Sequence, residues 1–217
     1  MPKHLPPPIP EHPDALIDSQ TRPYTGRYPV DLITFRNRRF DGQFSAPRTW
    51  EVLRRGQAVA MLPYDPITDT ITLIEQFRLP ALVANLDPIL IELPAGLLEP
   101  NEDPEAAMRR ELQEEMALTT DRMEKIGTYI LSAGGADETC ILYAGRVAAP
   151  ATDPTATYGL AEEQEDIRVR VYKAQDAMDL AFKGRITNSI AAIALYWFAA
   201  QHDRLRREWI TPEWITP

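Results

Sequence analysis

Alternation of apolar and polar residues starts at about Arg22, where "YPVDLITFR", "RRFDG" and "RTWEVLRRG" carry the period of two that marks strands. Asp41-Gly42 lies between them as a hairpin signal. This stretch (21–56) is too short to bury a core alone. It is expected to form a small N-terminal antiparallel β segment that packs on the main domain or on a second subunit. From residue 57 the pattern strengthens. "AVAMLPYD" (58–65), "TDTITLIEQF" (68–77), "ILIELPAG" (89–96), "KIGTYILSAGG" (125–135), "TCILYAGRV" (139–147) and "IRVRVYKA" (167–174) all read as strands. Asp103-Pro104 reads as an N-cap followed by a first-turn proline, which opens a helix. Two further helices, 173–184 and 188–209, close the chain, the first stopped by Gly184. Strands interspersed with a few helices, without regular alternation, predict a mixed α/β (α+β) domain over 57–207. Outside it, residues 1–20 hold six of the 20 prolines and are expected to be an extended arm. The tail 208–217 repeats "EWITP" twice, with no function attached to it.

Composition narrows the class. With 44% hydrophobic and 25% charged residues the chain is an ordinary globular protein. Its formal net charge of -9 argues against nucleic acid as the main partner. The longest apolar run, 190–200, falls short of the roughly 20 residues needed to span a bilayer, so no membrane role is expected. Cys140 stands alone, so no intrachain disulfide forms. The N-terminus has no apolar signal core, and a cytoplasmic location is expected. His4, His12 and His202 lie in the tails or the last helix, which disfavours histidine catalysis or a zinc site. No G-x-S-x-G, P-loop or G-x-G-x-x-G occurs.

The chemistry is concentrated in "GLLEPNEDPEAAMRRELQEEMAL" (96–118). At roughly 100° per residue, Met108, Leu112 and Met116 form an apolar stripe, with Glu115 about 20° and Glu111 about 60° from Met108. Like charges three and four residues apart on a helix repel, and a carboxylate on the apolar side must be paired or bound to a cation. Arg109 and Arg110 are the only basic residues of this stretch, too few for its acids.

The spacing Gly96, Glu102, Arg110-Glu111-Leu112, Glu114-Glu115 resembles the Nudix box, the signature of hydrolases that split nucleoside diphosphates linked to another group. One position departs: the family usually has Gly two residues after the second Glu of the pair, where this chain has Ala117. The resemblance implies a Nudix fold, a mixed β-sheet sandwiched by helices. It also implies a site for Mg²⁺ (or Mn²⁺), two or three ions, on hard oxygen ligands. Glu111 and Glu115 would ligate metal, Glu114 would stand close by, the carbonyl of Ala95 would add a ligand, and Gly96 would let the backbone approach. Arg110 would hold the glutamates by ion pairs.

"LIEQFRLP" (73–80), "ELPAGLLE" (92–99), "SAGGADE" (132–138) and "YGLAEEQEDIRVRV" (158–171) further resemble the ADP-ribose diphosphatase branch of that family. On that resemblance Glu163 is the general base, with Glu162 the alternative by one residue, and Glu165 a metal ligand. Arg78 would contact the diphosphate or terminal ribose, and Glu138 would also bind substrate. Tyr28 and Trp50 would stack on adenine, while Arg54 and Arg55 would bring positive charge to the site mouth. The implied reaction is hydrolysis of ADP-ribose to AMP and ribose 5-phosphate by a homodimer. The alternatives are another nucleotide sugar such as GDP-mannose, or a non-catalytic ADP-ribose sensor.

Overall fold

A computed structural model describes residues 8–151, 156–160, 164–211 and 214. The chain forms two compact units: residues 1–57 with 130–139, and residues 58–129 with 140–217.

The smaller unit is a three-stranded sheet in the order β1 (Ala15–Tyr24), β2 (Val30–Asn37), β3 (Arg48–Leu53), antiparallel throughout. β1 begins inside the stretch expected to be a proline-rich arm. It is an edge strand, and Pro23 sits where the register breaks between Thr21 and Tyr24, a position that costs no ladder hydrogen bond. "RRFDG", expected as a strand, is instead the turn joining β2 to β3, with Gly42 at φ 83° and only a single bridge from Arg38 to Phe44. The sheet is organised around an ion network. Asp31 is fully buried and accepts hydrogen bonds from Arg22, Arg54 and Gln20. Chiefly the Arg22 bond, and against burial, holds its pKa down at about 2.

The larger unit carries the sheet β10 (Ile167–Lys173), β5 (Thr70–Phe77), β4 (Gln57–Asp65), β9 (Thr139–Arg146), β8 (Arg122–Ile130), with β6 (Ile89–Glu92) beside β5 and β7 (Ala95–Leu97) beside β4. Its helices are α1 (Leu79–Val83), α2 (Pro104–Met116), α3 (Ala174–Phe182) and α4 (Ser189–Trp209). The mixed α/β class is thus as the strand and helix pattern predicts. α1 leaves no mark in the sequence pattern, being a five-residue helix in a proline-containing segment. α2 buries Met108, Leu112 and Met116 in one core with Val59, Met61, Ile74, Ile141 and Tyr143. Each such side chain contributes roughly 1.5–3 kcal/mol on burial. α4 buries Phe198 and Trp209 near Tyr64 of β4. His202 and Arg206 of the same helix pair with Asp69, which turns β4 into β5 at φ 55°. His202 therefore has a structural role. No helix among the described residues is long and apolar enough to cross a membrane.

Candidate active site

α2 is set by its ends. The Asp103 carboxylate accepts the Ala106 N–H at 2.9 Å, and Pro104 occupies the first turn. At the other end Ala117 takes the left-handed conformation, φ 53°, the place where the resemblance leads one to expect Gly.

Between those ends the helix turns its carboxylates inward. Glu115 is 3% exposed, and the Ala95 N–H donates to its Oε2 at 2.9 Å. Burial pushes its pKa up to about 8, and the charges of Glu111 and Glu165 push the same way, against the Ala95 hydrogen bond and Arg78. Glu111 is also raised, first by burial, and Glu114 and Glu165 add to the shift against Arg110. Arg110 pairs with three carboxylates: Glu111 at 2.7 Å, Glu114 at 3.1 Å and Glu102 at 3.2 Å. Burial works against the Arg110 charge, but those partners raise its pKa overall.

The strand facing the helix is shaped to fit. Ala95 and Gly96 lie in β7, opposite Ala60 and Val59 of β4. A Cβ on Gly96 would collide with the Glu111 carboxylate, so the carboxylate fills the space a side chain would need. Glu165 lies two residues before β10. Its carboxylate accepts the Leu160 N–H at 3.1 Å, and its charge is felt at both Glu111 and Glu115. Glu162 and Glu163 lie outside the described residues.

Among the described residues no three acidic groups are drawn together as a ready-made metal cage. The donor set nonetheless fits a hard divalent cation. It consists of oxygens only, its buried carboxylates repel one another, and Glu111 fills a cradle left open by a glycine.

Arg78 stands between β5 and α1. Its Nε donates to Glu92 at 2.7 Å, and its charge reaches Glu115. Neither Glu92 nor its second partner Asn188 was picked out from sequence. The available signal was a lone carboxylate inside the apolar strand "ILIELP".

The smaller unit brings together Tyr28, Arg55 and Glu138. The Arg55 guanidinium lies 4.1 Å from the Tyr28 ring centroid and pairs with Glu138 at 2.8 Å. Trp50 is not part of this group. It is 46% exposed, packs edge-on against Phe35 at 5.3 Å, and lines an apolar groove of about 380 Å³ with Ile9, Ile17 and Ile33. Arg54 does not offer a free charge at a site mouth. It is buried against Asp31 and Asp137, where three hydrogen-bonded charges offset the cost of removing them from water.

Residues 54–191 match the NUDIX domain family, and the chain belongs to it. It is a Nudix hydrolase. At the level of individual proteins, the ADP-ribose pyrophosphatase of Escherichia coli (strain K12) is 37% identical over 196 residues, 90% of this chain and 93% of that protein. The ADP-ribose pyrophosphatase of Haemophilus influenzae is 35% identical over 189 residues, 86% of each. The GDP-mannose pyrophosphatase of Yersinia pestis is 34% identical over 177 residues, 81% of this chain and 84% of that one. The crystal structure of an ADP compounds hydrolase shares the fold, with a TM-score of 0.62 at 15% identity over 89% of this chain and 98% of that one.

Proposed function

We propose that this Nudix hydrolase cleaves the diphosphate of ADP-ribose to AMP and ribose 5-phosphate. The observation that carries the reading is the carboxylate pair of half-buried Glu111 and buried Glu115, braced by Arg110 and the Ala95 N–H in the field of Glu165. The choice of ADP-ribose is supported by the ADP-ribose pyrophosphatases among its relatives.

Glu111, Glu115, Glu165 and the Ala95 carbonyl would hold Mg²⁺ or Mn²⁺, two or three ions. Ions bound there would supply charge neutralisation for the diphosphate and would lower the pKa of a nearby water. The remaining work belongs to the chain. Glu163 takes the proton of the attacking water. The water oxygen bonds to one phosphorus as the bridging P–O bond breaks, and the two monophosphates leave. Glu114 and Arg110 keep the carboxylates in place, while Arg78 holds substrate oxygens. Tyr28, Trp50, Arg55, Gly96 and Glu138 complete the substrate contacts, with Tyr28 and Trp50, drawn from one or both subunits of a homodimer, for adenine. The protein works as a cytoplasmic homodimer.

A second reading, hydrolysis of GDP-mannose, is favoured by the Yersinia pestis relative. Turnover with Mg²⁺ of ADP-ribose, GDP-mannose and UDP-glucose side by side separates the two. A kcat/KM highest for ADP-ribose and abolished by EDTA is the expected result, and a higher value for GDP-mannose would replace the adenine reading. Binding of ADP-ribose without turnover of any of the three would make the chain a sensor instead.

A further inference from the structure

Glu92 is 5% exposed at the end of β6, and both of its carboxylate oxygens are committed. Oε2 accepts Arg78 Nε at 2.7 Å, and Oε1 accepts Asn188 Nδ2 at 2.6 Å. Asn188 cannot simply turn over. Its Oδ1 accepts the Ala191 N–H at 2.9 Å as the N-cap of α4, so its amide group must face Glu92. The first turn of a 21-residue helix thereby fixes a buried carboxylate, and that carboxylate fixes the Nε edge of Arg78. The backbone of Arg78 is tied as well, its N–H donating to Pro88 O at 2.8 Å. The Nη atoms of Arg78 have no hydrogen-bond partner among the described residues, and the guanidinium charge reaches Glu115.

We infer that Glu92 and Asn188 are positioning residues that hold Arg78 as a preset two-pronged donor for an anionic phosphate or ribose group of the substrate. This rests on the reading of Arg78 as a substrate contact. An arginine locked at Nε retains the planar Nη pair that matches a phosphate edge. Because its long side chain is already ordered, less rotamer freedom is lost when substrate binds. Neither Glu92 nor Asn188 touches substrate. Both act through Arg78.

The test is a set of variants assayed on ADP-ribose with Mg²⁺, with Tm measured in parallel. Asn188→Ser keeps an N-cap of similar strength but is too short to reach Glu92. Glu92→Gln keeps the volume but turns an NH₂ toward one of two donors. Each is expected to raise KM about tenfold while kcat changes less than threefold. In an Arg78→Ala background the same two substitutions are expected to add nothing to the loss in kcat/KM. If Arg78→Ala raises KM but the Glu92 and Asn188 variants do not, the inference falls. It falls also if their losses add to that of Arg78→Ala, because a general structural role would add. If Arg78→Ala leaves KM unchanged, the reading of Arg78 fails first. If no ADP-ribose is turned over by the unaltered protein, the proposed function fails instead.

Discussion

Glu115 combines two properties that conflict unless a cation is present: it is buried, and its ionised form stands near other acids. Glu111→Gln and Glu115→Gln are each expected to lower metal-dependent kcat by about 10² or more, the scale seen when a group stabilising developing charge is removed. Steady-state rates over a Mg²⁺ titration check this, and near-normal turnover would remove both residues from the site. A pH effect follows from the same environment. The folded pKa of Glu115 is about 8, against 4.5 for an ordinary glutamate carboxyl, so the folded state binds the extra proton between those values. Stability from this group is full below about pH 4.5 and is lost as pH rises through about 8, by a few kcal/mol at most. Thermal unfolding in EDTA at pH 5 and pH 8 should show that loss, and Glu115→Gln should shrink it. Added Mg²⁺ should restore stability at pH 8.

Two elements carry stability predictions of opposite sign. Ala117 holds the left-handed exit of α2, where a Cβ is unfavourable. Ala117→Gly is expected to stabilise the protein by roughly 0.5–1 kcal/mol without altering kcat, as read by urea unfolding and an activity assay. In the smaller unit, Asp31→Asn removes a buried charge that Arg22 and Arg54 both face. Breaking such a network from one side costs about 3–5 kcal/mol, and the same unfolding curves would show whether it does. α2 itself was legible from sequence, because the Asp-Pro start, the apolar stripe and the inward carboxylates are all local patterns. β1 and α1 were less so. A run of prolines conceals a strand whose only partner strand among the described residues, β2, lies on one side, and five residues give too little periodicity to mark a helix.

For the molecule as a whole, the fold class and the carboxylate centre were readable because both depend on short-range spacing. What was not readable depends on pairing across long stretches of chain. Arg54 meets Asp137 and Asp31, Glu92 meets Asn188, and His202 meets Asp69, each joining segments that no local pattern connects. These distant pairs decide which charges serve the structure and which remain available. Aromatic residues are similar: Tyr28 finds Arg55, whereas Trp50 finds Phe35 and the groove. The proposed homodimer is testable at this scale. Light scattering on the full chain should give twice the chain mass of 24.6 kDa, and a value equal to one chain would remove the dimer.

The contact between Gly96 and Glu111 also bears on mutational tolerance. Every amino acid other than glycine places a Cβ where that carboxylate stands. A side chain at 96 would therefore turn the Glu111 carboxylate out of its place, so in a library selected for turnover the position is expected to vary little. Ala117, at the far end of the helix that carries Glu111, is expected to accept glycine without loss of activity. One motif thus contains a site closed to genetic change and another still open to improvement.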